Sequence, residues 1–227
     1  MKEAALFAPL EDALLYSYKP EEKDIAIPVR EILAKPAVAL IIRRPGCWLC
    51  RIQAVALKRH REFLEKKLGI RCFAVVHEQL GAEEFNNGFW NGELYWDKSR
   101  AFYKSLGEGE IRVASLWNLF TLQTYASMFK ALSSGISGNL LVGNGLIYGG
   151  AVVIQDKHFL FVHKEKGFGD LVKISEVLKA CKQIAGSSAN NEVMSELDQR
   201  IADELRKEGQ NPPDALACKP PDRPSKL

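Results

Sequence analysis

Residues 37–50 read Ala37-Val38-Ala39-Leu40-Ile41-Ile42-Arg43-Arg44-Pro45-Gly46-Cys47-Trp48-Leu49-Cys50. The first six are apolar without interruption and lie between Pro36 and Pro45. Such a run predicts a strand covered on both faces, as in parallel sheets. Pro45-Gly46 breaks it and exposes a turn. A helical pattern follows from about Cys50 to Leu68, with Ala54, Leu57, Phe63, Leu64 and Leu68 available for its inner face and Gly69 as a C-terminal cap. The stretch therefore combines a buried strand, a tight loop, a C-x-x-C and a long helix.

Outward from there, residues 70–77 (IRCFAVVH) predict a second strand and 78–91 a mixture of helix and loop. Residues 93–97 predict a short third strand and 99–106 a short helix. Residues 111–132 predict a helical insert, carrying Leu116, Trp117, Phe120, Tyr125, Met128 and Phe129. Strands over 151–155 and 158–163, joined by Asp156-Lys157, read as an antiparallel hairpin, and 171–185 as the closing helix. Upstream, Leu6, Leu10, Ala13 and Leu14 have helical spacing, after which Pro20, Pro28 and Pro36 divide the chain into extended pieces. Downstream, a polar helix over 187–209 carries Val193, Leu197, Ile201 and Leu205, and the last seventeen residues hold five prolines. The predicted fold is α/β and thioredoxin-like: a mixed β-sheet flanked by helices, with a helical insert and an extra C-terminal helix. The expected organisation is an N-terminal helical and extended segment (1–36), the thioredoxin-like domain (37–186), a C-terminal helix (187–210) and a disordered tail (211–227).

Composition limits the function. Of 227 residues, 47% are hydrophobic and 26% charged, which excludes wholesale disorder. The 31 Lys and Arg against 28 Asp and Glu leave a charge of +3, with no basic excess for nucleic acid. The uncharged stretches 113–129 and 131–155 are interrupted by polar residues and glycines, so no transmembrane helix is expected. Five cysteines without a secretory leader point to a reducing compartment.

Cys47 and Cys50 are the sharpest chemical signal. Two sulfurs one helical turn apart can close a disulfide without moving the backbone. The first turn of a helix favours a thiolate through its unpaired N–H groups and dipole, and Arg43, Arg44 and Arg51 add charge of the same sense. The competing reading, half of a zinc site, would need two further ligands; no second C-x-x-C exists, and Cys72, His60 and His77 lack finger-like spacing. Cys72 and Cys181 read as core thiols, Cys218 as an exposed tail residue, and no histidine belongs to a recognisable triad. The glycines of 143–150 mimic a dinucleotide loop, but a strand follows where such a loop needs a helix, so no nicotinamide site is inferred. Ser225-Lys226-Leu227 has the form of a peroxisomal address read by an import receptor, with the cytoplasm as the alternative.

These residues resemble the peroxiredoxin-like 2 family of thioredoxin-fold proteins. The matching pieces are Arg43-Arg44-Pro45-Gly46-Cys47-Trp48-Leu49-Cys50, Ser137-Gly138-Asn139-Leu140, Gly149-Gly150, and Lys164-Glu165-Lys166-Gly167-Phe168-Gly169-Asp170, within about residues 30–186, together with Arg112. The resemblance implies antioxidant or redox-regulatory activity; one branch of the family is prostamide/prostaglandin F synthase, which reduces a lipid endoperoxide. Cys47 and Cys50 match the family's redox cysteines. The Pro-x-x-x-(Thr/Ser)-x-x-Cys pattern of peroxiredoxins is not met: Arg43 and Cys47 stand at its Pro and Thr positions counting back from Cys50, and Leu40 and Arg44 counting back from Cys47. Gly149-Gly150 stands where thioredoxins carry a proline before the strand facing the dithiol.

The expected function is a thiol–disulfide oxidoreductase that reduces peroxides, lipid endoperoxides or disulfides. Cys47 attacks, Cys50 resolves, Arg44 and Arg51 lower the thiolate pKa, and Trp48 forms an apolar lip. No cofactor is expected to be bound; an external thioredoxin- or glutathione-type reductant restores the dithiol. The alternative is a redox-sensing or scaffolding protein with little turnover.

Overall fold

A computed structural model describes residues 2–18, 25–114, 145–167, 169–186 and 189–209. Among these residues the sheet is seven-stranded, in the order β2 (Ala26–Pro28), β1 (Leu14–Ser17), β5 (Glu93–Trp96), β4 (Arg71–Val76), β3 (Ala37–Ile42), β6 (Gly150–Gln155), β7 (His158–Lys164). The apolar run is the strand β3 (Ala37–Ile42), buried at every position. It pairs in parallel with β4 (Arg71–Val76), which pairs in parallel with β5 (Glu93–Trp96). On its other side β3 pairs antiparallel with β6 (Gly150–Gln155), and β6 with β7 (His158–Lys164). Asp156 and Lys157, at φ of 49° and 66°, make the tight turn between them, a conformation that matches the twist of the flanking strands.

Alternation along β3 explains why both its faces are apolar. Val38, Leu40 and Ile42 enter a core shared with α3 (Trp48–Leu68), α6 (Ile174–Ala185) and α7 (Asn191–Gly209). Ala37, Ala39 and Ile41 face a second core with Leu10, Leu15, Val29, Phe102 and Tyr103. The long helix α3 ends at Gly69, whose φ of 67° suits glycine.

The N-terminal segment departs from its helical spacing. After α1 (Lys2–Phe7) and a 3-10 turn at Ala8–Leu10, Leu14 opens the strand β1 (Leu14–Ser17). β1 pairs antiparallel with β2 (Ala26–Pro28) and with β5, where Tyr16 meets Trp96. The short helix α2 (Val29–Ile32) leads into β3. This pairing joins residues about eighty apart, and local periodicity carries no trace of it. The helix expected from residue 111 also does not begin there: 111–114 are not helical, and Val113 bridges Ile147. The rest of the expected insert, with Ser137–Leu140, lies outside the described residues.

Between β4 and β5 the chain forms α4 (Ala82–Phe85) and a wide turn of helix over Asn86–Trp90. Asp97 then starts α5 (Ala101–Leu106): its carboxylate accepts the Ala101 and Phe102 N–H groups, both at 2.9 Å, and the Ser99 hydroxyl. Of the apolar stripe on α7, Leu197 and Ile201 are buried while Leu205 is exposed. Each buried aliphatic side chain contributes about 1.5–3 kcal/mol to that docking. A polar clasp accompanies it: His60 on α3 lies 3.1 Å from Glu204 on α7, both buried. Burial pulls the Glu204 carboxyl up, but its hydrogen bonds with His60 and Lys207 outweigh that and bring it to about 2. Among the described residues no helix is long and apolar enough to cross a membrane.

Candidate active site

Four elements converge at the C-terminal end of β3. Beyond Ile42 the chain turns back on itself, and the Cys47 N–H closes the turn on the Arg44 carbonyl at 3.1 Å. Cys47 is the residue before the first turn of α3, with extended φ and ψ of −77° and 124°. Its sulfur therefore stands at the helix start, where the Leu49 and Cys50 N–H groups favour its ionised form. The same turn folds Arg43 toward that sulfur, and Arg43 Nη2 donates to Cys47 Sγ at 2.9 Å.

The two thiols are driven apart in acidity. Cys47 is held well below the ordinary cysteine range, first by its hydrogen bond with the Cys50 side chain, then by Arg43 and the helix amides, against the opposing effect of burial. Cys50 is pushed well above that range by the same hydrogen bond, by burial and by the charge on Cys47. Of the two, Cys47 is the thiol favoured to ionise and Cys50 the one favoured to keep its proton. Both are free cysteines and both are buried.

Arg43 is the centre of the site. Besides the sulfur, its Nη1 donates to the Gly145 carbonyl at 3.2 Å and its Nε lies 3.7 Å from Glu165 Oε2. Its own carbonyl accepts from His77 Nε2 at 2.9 Å. Glu165, at the end of β7, is locked to Gly149 twice: the Gly149 N–H donates to its carboxylate at 3.0 Å, and its own N–H donates to the Gly149 carbonyl at 3.2 Å. Burial raises the Glu165 carboxyl to about 7, even though Arg43 and the Gly149 N–H pull it down. The Tyr103 hydroxyl, 2.7 Å from the Ile42 carbonyl and 3.2 Å from that of Val75, ties the ends of β3 and β4 together beneath the site.

The other expected site residues lie elsewhere. The expectation that Arg44 charges the thiolate is corrected: Arg43 holds the sulfur, and the buried Arg44 guanidinium packs against Gly145. Arg51 does not bond to Cys47 in the structure. Its Nε donates to the Pro45 carbonyl at 3.1 Å, its Nη2 lies 3.0 Å from Glu84, and it covers the Phe89 ring, so it braces the loop. Trp48 is half-buried beside the core. Arg112 lies over the Tyr148 ring at 5.4 Å, on a non-helical segment whose carbonyl accepts the Tyr148 N–H. Cys72 and Cys181 are buried, and burial pushes Cys72 well up and Cys181 to about 12. Cys218 and Ser225, Lys226 and Leu227 lie outside the described residues.

Comparison with known proteins finds relatives of this chain. A family model described as AhpC/TSA antioxidant enzyme matches residues 56–167. The protein called Peroxiredoxin-like 2A in Mus musculus is 38% identical over 151 residues, covering 65% of this chain and 66% of that one. Peroxiredoxin-like 2A of Xenopus laevis is 35% identical over 159 residues, covering 69% and 67%. The chain belongs to the peroxiredoxin-like 2 family. The match spans about two thirds of these relatives' own length. Among solved structures, a cysteine mutant of Xanthomonas campestris peroxiredoxin Q aligns with a TM-score of 0.49 at 11% identity, over 79% of this chain and 92% of that one.

Within this family framework, the sequence reading missed Glu165, His77 and Tyr103 as parts of the site and misplaced the role of Arg43. Glu165 was within reach, since it sits inside the segment Lys164–Asp170 that carried the resemblance. A lone acidic residue after an edge strand gives no sign that it will be buried against an arginine 122 positions away.

Proposed function

We propose that the protein is a thiol–disulfide oxidoreductase that reduces peroxides or lipid endoperoxides through Cys47 and Cys50. The observation that carries this reading is the 2.9 Å bond from Arg43 to the Cys47 sulfur at a helix start, because the thiolate is the attacking form of cysteine. The Cys47 sulfur attacks one peroxide oxygen; an S–O bond forms, the O–O bond breaks, and the departing oxygen takes a proton to become water or an alcohol. Sulfur is thereby oxidised to a sulfenic acid, or to its ester when a cyclic endoperoxide opens. The Cys50 thiol then forms the S–S bond and releases water or the alcohol. A thioredoxin- or glutathione-type thiol is oxidised in turn as it restores the dithiol. No resident cofactor takes part.

Turnover with hydrogen peroxide, an alkyl hydroperoxide and a lipid endoperoxide, under thioredoxin and glutathione recycling, tests the proposal. The wild-type protein should consume at least one oxidant, Cys47→Ser should fall to the level of the double-serine protein, and Cys50→Ser should retain a sulfenic acid on Cys47. A wild-type rate equal to the double-serine control overturns the enzyme reading. A sulfenic acid trapped on Cys50 in Cys47→Ser, with none on Cys47 in Cys50→Ser, reverses the order of attack. A second reading, a slow redox sensor, draws support from the burial of both sulfurs, which are 4% and 2% exposed; absence of turnover together with reversible oxidation of the pair would establish it.

Peroxisomal delivery through Ser225-Lys226-Leu227 and its import receptor is a separate proposal, supported by the tripeptide alone. A fluorescent fusion at the N-terminus should be punctate and should disperse on removal of Leu227. Diffuse fluorescence in both proteins removes the claim.

A further inference from the structure

Arg43 stands between two buried acids. Arg43 touches the Cys47 sulfur at 2.9 Å and the Glu165 carboxylate at 3.7 Å. Arg43 and Glu165 are each only 5–6% exposed, and Cys47 4%. Solvent therefore compensates little of whatever charge the three carry. A second, uncompensated anion in such a place is costly, several kcal/mol in real proteins. The charge states open to the cluster are thus the ones with a single negative charge beside the guanidinium.

We infer that Glu165 is the proton store of the Cys47 thiolate: it takes up a proton when Cys47 ionises and gives one up when Cys47 is oxidised, with Arg43 pairing whichever of the two is the anion. The inference rests on the redox reading of Cys47 given above. In the resting exchange the S–H bond breaks and a carboxyl O–H forms, so the cluster keeps its total charge. During peroxide attack the thiolate becomes a neutral sulfenic acid and the departing alkoxide or hydroxide needs a proton. Glu165 releases one, and its carboxylate takes over the guanidinium. Charge and protons balance at both steps, and the buried site never holds two anions.

The surroundings favour a carboxyl that titrates near neutrality. Arg43, from the turn after β3, favours the carboxylate. Cys47, and Asp170 in the loop after β7, oppose it. Cys50 on α3 and Tyr103 on α5 also feel the Glu165 charge. The Gly149 N–H points at the carboxylate and holds it in place in either protonation state. Burial is the largest influence, and the carboxyl stands at about 7. Glu165 touches the reacting sulfur through Arg43, so it is a positioning residue.

The test uses the full chain with Cys50→Ser and Cys218→Ser, so that Cys47 is the thiolate that titrates below pH 9. Two measurements apply. First, alkylation of Cys47 with iodoacetamide at pH 7 should release close to one proton per chain, given up by the Glu165 carboxyl once the thiolate is gone, whereas Glu165→Gln, which keeps the thiolate but has no proton to give, should release almost none. Second, infrared difference spectra at pH 7 should show a protonated carboxyl band that is lost when iodoacetamide converts Cys47 to a neutral thioether, and that is absent in Glu165→Gln. The second measurement is made with Glu165 in place and does not depend on how Glu165→Gln folds. Equal proton release from the protein with Glu165 in place and from Glu165→Gln, or a carboxyl band indifferent to alkylation, overturns the inference. Neither readout requires peroxide turnover, so a protein that shows the exchange but consumes no peroxide loses the enzyme reading and keeps this one.

Discussion

Arg43→Met should move the pH midpoint of the Cys47 thiolate upward by about 1 to 3 pH units, the effect of removing an opposite charge within hydrogen-bond distance. The side chain keeps an unbranched apolar stem and loses the charged head, so the expected effect is electrical. Glu165 stays protonated once its partner cation is gone, which leaves no buried unpaired carboxylate to unfold the site. With less thiolate at neutral pH, peroxide consumption should fall by roughly 10-fold or more, the remaining thiolate being intrinsically somewhat more nucleophilic. Arg44→Met is the informative comparison, because Arg44 packs against Gly145 and makes no bond to the sulfur in the structure. The measurement is absorbance at 240 nm with Cys50 and Cys218 replaced by serine. Equal midpoints for Arg43→Met and Arg44→Met would remove Arg43 from the centre of the site.

Gly149→Ala should be among the most damaging single-methyl additions to the chain. A Cβ at position 149 would sit 2.2 Å from the Ile41 carbonyl oxygen and 2.9 Å from the Arg43 backbone nitrogen. Both are backbone atoms at the end of the central strand, so no side chain can swing aside. Overpacking of this kind costs about 3 kcal/mol, which for a chain of this size lowers Tm by roughly 6–12 °C. The damage should extend to the chemistry, since Gly149 also carries both bonds that lock Glu165, and the strain falls directly on the residue that turns Arg43 toward the thiol. Gly186→Ala, whose added Cβ would meet its nearest atom at 3.5 Å, serves as the control. A Gly149→Ala melting point within 2 °C of the control would mean that the β3 end yields more easily than its packing implies.

These two residues mark how much of the molecule the sequence discloses. The run Ala37–Ile42, the dithiol and the helix after it are legible because each is a local signal: unbroken apolarity for a strand buried on both faces, spacing for two sulfurs on one turn, glycine for the helix end. The hairpin at Asp156-Lys157 is legible for the same reason. β1 and β2 are not, because Leu14 fits a helical spacing as well as a strand and only its pairing beside β5 decides between them. The role of Arg43 is likewise hidden: three arginines flank the dithiol, and all have the same chemistry on paper.

The sequence by itself determined the fold class, the family and the pair of sulfurs at the helix start, since these follow from short local patterns and their order along the chain. Only the tertiary structure decided which arginine meets the sulfur, that a glutamate from the far end of the chain shares it, and that Gly149 must stay bare. Each of those depends on backbones far apart in sequence approaching within a few ångströms, where burial removes water and turns an ordinary charge into a determinant of its neighbour's chemistry.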